Sequence, residues 1–223
     1  MSTIVAVSNA PRRGLIVDFY GVLTDGMNQA MQAWTEADGI EYSQFREAMA
    51  EWFGDSGSMA ARFNPVHALE RGELEVPDFE AQLAARLRRR DGGSVEPSGL
   101  LDRMFARFEH APDMAGLVRR ARNAGIRTAL LSNSWGDRYL RDGWADMFDA
   151  VVISGEVGIR KPERRIFDYT LRKLDLDAEC CVFVDDHDRN VQAAVDLGMV
   201  GIHHLEYQVT AVELERLFDL PLA

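Results

Sequence analysis

The fold of this chain is decided by residues 14–25, which read GLIVDFYGVLTD. Leu15, Ile16 and Val17 form a continuous apolar run, which is typical of a strand that is buried on both faces. A strand of this kind belongs to a parallel sheet with helices on either side. Asp18 follows the run directly, and parallel sheets bind their ligands at the carboxyl ends of the strands. The stretch therefore predicts both a first strand and the edge of a site.

Four further apolar runs predict the rest of the sheet. They occupy residues 128–131, 150–153, 180–184 and 199–202. Segments with helical spacing lie between these runs, and a glycine or a proline bounds each segment. The segments comprise residues 114–123, 163–174 and 190–197. This alternation predicts an α/β domain with a doubly wound, Rossmann-like parallel sheet.

A long crossover separates the first two runs. Residues 27–110 have helical composition and contain no comparable buried-strand run. A crossover of that length is expected to be a subdomain rather than a loop. We therefore predict a core domain made of residues 1–26 and 111–223, with an inserted all-helical cap over 27–110. The candidate cap helices are residues 27–37, 42–53, 77–90 and 99–109, and the run Arg88-Arg89-Arg90 is expected at the exposed end of the third.

Composition excludes several classes of protein. The 223 residues include 36 acidic and 25 basic side chains, and the net charge of -11 argues against nucleic acid or an anionic membrane as a partner. No apolar run reaches the roughly 18 residues that a membrane span needs, so a cytoplasmic protein is expected. Cys180 and Cys181 are adjacent in an apolar run, which excludes a disulfide framework and indicates core positions.

Polar side chains follow several of the predicted strands. Because parallel strands end at the same edge of a sheet, these side chains are expected to converge there. Adjacent carboxylates repel one another unless a cation compensates, and a hard divalent metal ion is the simplest one. A lysine is conspicuous, since only two of the 25 basic residues are lysines. The converging residues are Asp18, Ser132, Asn133, Lys161, Asp185 and Asp186.

Four of these segments, taken in order, resemble the motifs of the haloacid dehalogenase superfamily. They are DFYGVLTD at 18–25, LSN at 131–133, KP at 161–162 and VDD at 184–186. Residues 158–163, around Lys161, and residues 185–199 especially resemble the branch that includes the N-terminal phosphatase domain of soluble epoxide hydrolase. Glu70-Arg71-Gly72-Glu73 together with Phe79 resembles the helical cap of that branch.

The resemblance implies hydrolysis through a covalent intermediate on an aspartate. Asp18 matches the nucleophile, Ser132 the phosphate-binding hydroxyl and Lys161 the stabilising cation. A carboxylate can attack phosphorus only when its repulsion from the phosphate oxygens is cancelled, and a lysine and a divalent ion can do this together. The implied partner is a small phosphorylated molecule, over which the cap closes.

The same resemblance implies a magnesium ion. Asp185 and Asp186 match the acidic metal-binding pair, and Asp18 and the backbone carbonyl of Tyr20 match the ligands from the first motif. Asn133 and Tyr20 are expected to contact substrate. Gly21 is expected to permit the tight turn after Tyr20, since glycine alone turns freely there.

Tyr20 departs from the pattern of the phosphatases that it resembles. Those enzymes usually have a second aspartate at this position, which acts as an acid toward the leaving oxygen and then as a base toward water. A tyrosine with an ordinary pKa near 10 is a poor replacement at neutral pH. Three explanations are compatible with Tyr20: the substrate has a good leaving group, the cap supplies an acid or base, or the activity is very low.

Two alternatives stay open at this point. Tyrosine at this position also resembles the 2-haloacid dehalogenases, which need no metal, and Arg46 would then be the candidate clamp for a carboxylate or halide. A catalytically silent binding protein with the same fold is the third hypothesis. His187, Asp188 and Asn190 are weaker candidates in the loop after the acidic pair, where Asn190 is expected to order the start of a helix.

Overall fold

The computed structural model describes residues 11–25, 27–53, 64–139 and 141–223. Within these residues the strands are β1 (Gly14–Val17), β2 (Thr24–Asp25), β3 (Glu109–His110), β4 (Arg127–Ser132), β5 (Ala150–Ile153), β6 (Cys181–Asp185) and β7 (Val200–His203). The helices are α1 (Met27–Ala37), α2 (Tyr42–Phe53), α3 (Pro65–Glu70), α4 (Val76–Arg86), α5 (Leu100–Phe105), α6 (Pro112–Asn123), α7 (Ser154–Val157), α8 (Arg164–Leu174), α9 (Asp188–Val195) and α10 (Tyr207–Phe218).

The main sheet confirms the predicted fold class. Its strands run in the order β5-β4-β1-β6-β7, and every pairing between neighbours is parallel. Each of the predicted apolar runs forms one of these strands, because only apolar side chains can fill a strand that is covered on both faces. Strand β1 lies at the centre with all four residues buried. It is also where the strand order switches between the two halves of the sheet.

The register aligns the strand ends that carry polar residues. Val17 of β1 lies opposite Leu130 of β4 and Val184 of β6. The next residue after β1 is therefore level with the last residue of β6 and close to the end of β4. This alignment brings the residues after three different strands to one edge.

Helices α1 to α5 lie in the chain between β1 and the second strand of the sheet. Their apolar side chains form a cluster of their own, centred on buried residues such as Trp34, Phe79, Leu83 and Leu100. The described part of residues 27–110 contributes no strand to the main sheet. The division of the chain at 26/27 and 110/111 stays a prediction, and residues 1–10, 26, 54–63 and 140 of the predicted domains lie outside the described part.

A short antiparallel ribbon, which the sequence did not predict, joins the chain at both ends of this helical segment. Thr24 pairs with His110 and Asp25 with Glu109. The predicted helix over 99–109 is consequently too long, since α5 ends at Phe105 and the chain then extends into the ribbon. Each strand has two residues, which is too short for a periodic signal.

The prediction for the arginine run was wrong in one respect. Helix α4 ends at Arg86, because fully buried Leu87 has extended backbone angles and leads the chain away. Arg88 and Arg89 instead form antiparallel bridges with Ser94 and Ile40. All three arginines are exposed, as expected.

Among the helices of the described residues, none combines the length and apolar composition that a membrane crossing needs.

Candidate active site

The site is built at the carboxyl edge of the sheet around Lys161. This side chain is 0% exposed, and its Nζ lies 2.8 Å from Asp18 Oδ2 and 2.6 Å from Asp185 Oδ2. Burial by itself lowers the pKa of an ammonium, but the two carboxylates outweigh it and raise the pKa of Lys161 above its usual value. The lysine is therefore charged at neutral pH and bridges the ends of β1 and β6.

Asn133 holds the backbone at Lys161. Its Oδ1 accepts a hydrogen bond from the Lys161 N–H at 2.8 Å, and its Nδ2 donates to the Lys161 carbonyl at 3.1 Å. The sequence predicted a contact between Asn133 and substrate, whereas the structure engages both ends of the amide with the lysine backbone. This double bond couples the loop after β4 to the loop that carries the lysine.

Asp18 lies directly after β1 and is almost fully buried. Its backbone N–H donates to the Val184 carbonyl at 3.0 Å, which fixes the residue against β6. Its Oδ1 accepts from the Phe19 N–H at 2.6 Å, and its Oδ2 pairs with Lys161. Burial raises the pKa of Asp18 well above its usual value; Lys161 opposes this effect, and the neighbouring aspartates add to it.

The two late aspartates have different surroundings. Asp185 is satisfied on both oxygens, since Oδ1 accepts from the His187 N–H at 2.8 Å and from Asn190 Nδ2 at 3.0 Å, and Oδ2 accepts from Lys161. Asp186 Oδ1 is buried and has no hydrogen-bond partner among the described residues. Burial also raises the pKa of Asp186. A buried carboxylate oxygen without a partner is costly, so this atom is the first place to expect a cation.

Three carboxylates could share that cation. Asp18, Asp185 and Asp186 each offer an oxygen, and these oxygens all lie within 4.8 Å of one another. Gly21 makes room for the group: its φ is 78°, and a Cβ on it would lie 2.5 Å from Asp186 Oδ2. Any larger residue at position 21 would thus collide with the carboxylate as well as strain the backbone.

Ser132 ends β4 and is fully buried. Its Oγ lies 2.9 Å from the hydroxyl of Tyr139, a residue that the sequence had not singled out. Tyr139 belongs to the irregular segment after β4, where no periodicity or motif marked it. Ser132 stands beside Asp18 at the strand edge, because β4 and β1 are neighbours in register.

Tyr20 directs its ring into an aromatic cluster between the sheet and the helical segment. Ring centroids lie 4.9 Å away for Phe105, 5.6 Å for Phe108, 5.0 Å for Phe19 and 5.7 Å for Tyr139. Burial raises the pKa of the Tyr20 phenol further above 10. The phenol is therefore a weaker acid here than tyrosine in water.

The motif at residues 70–73 contacts the loop on both sides of Lys161. Arg71 binds Glu163 at 2.7 Å through Nε and at 2.5 Å through Nη2. Glu70 binds Arg160 in a buried ion pair, although burial still raises the pKa of Glu70. These neighbouring residues, at the end of α3 and just after it, attach the helical segment to the residues that flank the lysine.

The remaining sequence candidates lie at the border of this centre, where His187 and Asn190 contact Asp185, or away from it. Arg46 is exposed on α2, and His187 and Asp188 are exposed at the start of α9. Asn190 is buried and orders the loop as expected, but through the Asp185 side chain rather than the backbone. Cys181 is a buried core residue, as predicted, and Cys180 is half-buried.

Similar proteins of known sequence include phosphatases and longer enzymes. A sesquiterpene phosphatase of Aspergillus oryzae, astK, is 29% identical over 157 residues, which cover 66% of this chain and 76% of the relative. Bifunctional epoxide hydrolase 2 of Mus musculus is 35% identical over 109 residues, which cover 44% of this chain and 19% of that protein. The second match confirms the resemblance to soluble epoxide hydrolase, although the chain spans a small part of that enzyme.

Solved structures share the fold. An enzyme of the haloacid dehalogenase (HAD) family from Bacteroides thetaiotaomicron, solved in complex with magnesium and inorganic phosphate, has a TM-score of 0.60. Its sequence is 18% identical, and the match covers 85% of this chain and 92% of that chain. A dehalogenase structure has the same TM-score with 19% identity, over 87% of this chain and 85% of that chain. At these identities the likeness concerns the fold alone and does not separate a phosphatase from a dehalogenase.

The family model of the haloacid dehalogenase-like hydrolases matches residues 13–198 of this chain. The matched region begins just before β1 and ends beyond the acidic pair, so it contains every strand-edge residue of the site. Because it also spans most of the 223 residues, the chain belongs to the haloacid dehalogenase-like hydrolases.

Proposed function

We propose that this hydrolase is a magnesium-dependent phosphatase that acts on a small organic phosphate through a covalent intermediate on Asp18. The observation that carries the proposal is the buried Asp186 Oδ1, which lacks a partner among the described residues beside Asp18 and Asp185. The similarity to a phosphatase of Aspergillus oryzae supports the same reaction. The domain division at 26/27 and 110/111 is part of the proposal, and a cytoplasmic location stays a prediction.

The reaction needs two displacements at phosphorus. A carboxylate oxygen of Asp18 attacks phosphorus, and the bond between phosphorus and the leaving oxygen breaks, so the leaving group departs with the electron pair and takes a proton from solvent. Water then attacks phosphorus, and the bond between phosphorus and the Asp18 oxygen breaks. This step releases inorganic phosphate, returns the proton lost by the water to solvent and regenerates the Asp18 carboxylate. Lys161, at 2.8 Å from Asp18, offsets the repulsion between this carboxylate and the phosphate oxygens.

The donor set suits a hard divalent cation, because carboxylate and carbonyl oxygens are the ligands that magnesium prefers. Asp18, Asp186 and the Tyr20 carbonyl would hold the ion. Asp185, which also binds Lys161, would add a fourth group to the site, and its negative charge would attract the ion. When bound, magnesium supplies positive charge that neutralises the phosphate oxygens and the clustered carboxylates. Ser132 is assigned to bind a phosphate oxygen through its hydroxyl, and Asn133 to position Lys161.

The residue that would protonate the leaving group is where this chain departs from the phosphatases whose motifs it resembles. No carboxylic acid stands at position 20, and the raised pKa of Tyr20 keeps its proton on the phenol. We therefore infer that the alcohol departs without efficient protonation. Acyl and aryl phosphates, whose leaving groups are weak bases, should react faster than alkyl phosphates.

Tyr20 also keeps a 2-haloacid dehalogenase as the second candidate function. In that reaction Asp18 attacks carbon and halide leaves, with no metal ion. The cluster of Asp18, Asp185 and Asp186 opposes this alternative, because three carboxylates within 4.8 Å would repel a carboxylate substrate. A catalytically silent protein is the third, and it gives no reason for a buried, charged Lys161 between two carboxylates.

One parallel assay tests these three functions. The purified protein is supplied with acyl, aryl and alkyl phosphates and with 2-haloacids, each with and without magnesium, and free phosphate and halide are measured. We expect phosphate release that requires magnesium and disappears in Asp18→Asn. The matched control Asp113→Asn changes an exposed aspartate of α6 and should leave the rate unchanged. Halide release without magnesium would overturn the proposal in favour of a dehalogenase, and no release of either kind would favour the silent protein.

A further inference from the structure

Tyr139 stands beside the proposed phosphate-binding hydroxyl and has no role in the mechanism so far. Its hydroxyl lies 2.9 Å from Ser132 Oγ; Tyr139 is 8% exposed, and Ser132 is 0% exposed. Three rings surround the phenol, with centroids 5.0 Å away for Phe19, 5.7 Å for Tyr20 and 5.6 Å for Trp144. Phe19 and Tyr20 follow β1, whereas Trp144 belongs to the same connection as Tyr139, so the phenol is held in part by rings from outside its own loop.

The chemistry of the two hydroxyls indicates the direction of their hydrogen bond. A serine hydroxyl has one hydrogen and two lone pairs, and it rotates to suit its surroundings. A phenol has an ordinary pKa near 10 and is protonated at neutral pH, so the Tyr139 hydroxyl can donate a hydrogen bond. When the phenol donates to Ser132 Oγ, the serine hydrogen remains available for another acceptor.

We propose that Tyr139 is a positioning residue for the substrate phosphate: its phenol donates to Ser132 Oγ and thereby directs the serine O–H toward a phosphoryl oxygen. The inference rests on the proposed phosphatase function. Its physical basis is preorganisation, since a donor that is already oriented needs no rearrangement when the phosphate arrives. Without the phenol, the Ser132 hydroxyl can rotate to other acceptors in the site.

A purely structural role for Tyr139 makes different predictions. A buried phenol needs a hydrogen-bond partner, and Ser132 would satisfy it without any consequence for phosphate. A structural role would change stability and leave the affinity for phosphate alone. A positioning role acts only through Ser132 and on the phosphoryl group, so its effect should be the same for every alcohol.

The test is a double-mutant cycle on the magnesium-loaded protein. Tyr139→Phe, Ser132→Ala and the double variant are compared for binding of inorganic phosphate by calorimetry and for kcat/KM with one aryl and one alkyl phosphate. Tyr139→Phe keeps the ring and its packing and removes only the hydroxyl. The control Tyr207→Phe removes the hydroxyl of a tyrosine on α10, which lies 3.5 Å from Arg120 Nη2.

We expect Tyr139→Phe to weaken phosphate binding by roughly 2- to 10-fold, the range for one neutral hydrogen bond. The kcat/KM should fall by a similar factor with both substrates. In the Ser132→Ala background the same change should have no further effect, because its only route is absent. Tyr207→Phe should behave as the wild type.

Several results would overturn the inference. An unchanged phosphate affinity in Tyr139→Phe would do so, as would a loss that persists in full without the Ser132 hydroxyl. Failure of Tyr139→Phe to fold would make the hydroxyl structural and would also overturn it. If the wild type releases no phosphate from any substrate, the proposed function fails separately, and phosphate binding alone then decides the role of Tyr139; absence of such binding would reject both.

Discussion

Replacing Tyr20 separates the acid-free phosphatase from a site with a hidden proton donor. Tyr20→Asp supplies a carboxylic acid, Tyr20→Asn has nearly the same shape without the acid, and Tyr20→Phe removes only the phenol. If the phenol is not the acid, Tyr20→Phe should lose far less than the roughly 10²-fold that removal of a general acid produces. Tyr20→Asp should hydrolyse alkyl phosphates about 10²-fold faster than Tyr20→Asn.

The structure also sets the stability cost of this experiment. The Tyr20 ring contacts four others, with centroids 4.9 to 5.7 Å away. Each aromatic pair contributes about 0.5–1.5 kcal/mol beyond its buried area, so loss of the four pairs should destabilise the protein by about 2–6 kcal/mol. That is a large part of the roughly 5–15 kcal/mol that stabilises a typical domain. The rates must therefore be divided by the folded fraction, measured by circular dichroism under the assay conditions.

The decisive measurement is the dependence of the wild-type rate on leaving-group pKa. Phosphate release is followed for a series of acyl, aryl and alkyl phosphates, with chemistry shown to be rate-limiting. We expect a steep slope, because no group protonates the departing oxygen. A flat slope, or a 10²-fold loss on alkyl phosphates in Tyr20→Phe, would refute the reasoning and require a proton donor in the site.

Three further predictions follow from the site, the cap contact and the core. Asp186→Asn should weaken magnesium binding at least roughly tenfold by calorimetry, and unchanged binding would remove Asp186 from the metal site. Arg71→Glu and Glu163→Arg should each destabilise the protein to urea by about 1 kcal/mol, with recovery in the double variant; additive losses would mean that their contact contributes nothing. Burial lowers the pKa of His204 from 6.5 to about 4. Between these pH values the unfolded chain binds a proton at this histidine and the folded chain does not, so stability should fall as the pH drops from 6.5 to 4. His204→Asn should remove up to about 3 kcal/mol of this pH dependence, and an identical pH profile in the variant would contradict it.

Residues 70 and 71 attach the helical segment to the loop that carries the lysine. Glu70 and Arg71 bind Arg160 and Glu163, which stand on either side of the Lys161-Pro162 pair. The aromatic cluster around Tyr20 forms a separate contact, in which packed rings are joined by the ion pair between Arg138 and Asp102.

Much of the fold was readable from the sequence because burial on both faces restricts a strand to apolar residues. Leu15-Ile16-Val17 and the four later runs each became a strand of the sheet. The convergence of Asp18 with Asp185 was predictable for a related reason: parallel strands end at one edge, so residues at those ends must be close. Elements without such a restriction, such as α3 and the two-residue strands β2 and β3, were not predicted.

The order of residues along the chain indicates which residue types meet at the strand edge, but the contacts of each side chain depend on how the chain folds. Asp185 and Asp186 are equivalent as letters, but successive side chains at a strand end point in opposite directions. One of them therefore meets Lys161, whereas Oδ1 of the other lacks a partner within the described residues. Tyr139 is likewise invisible in the sequence, because the rings that position it come from residues 19, 20 and 144. Local sequence carries no record of neighbours that only folding brings together.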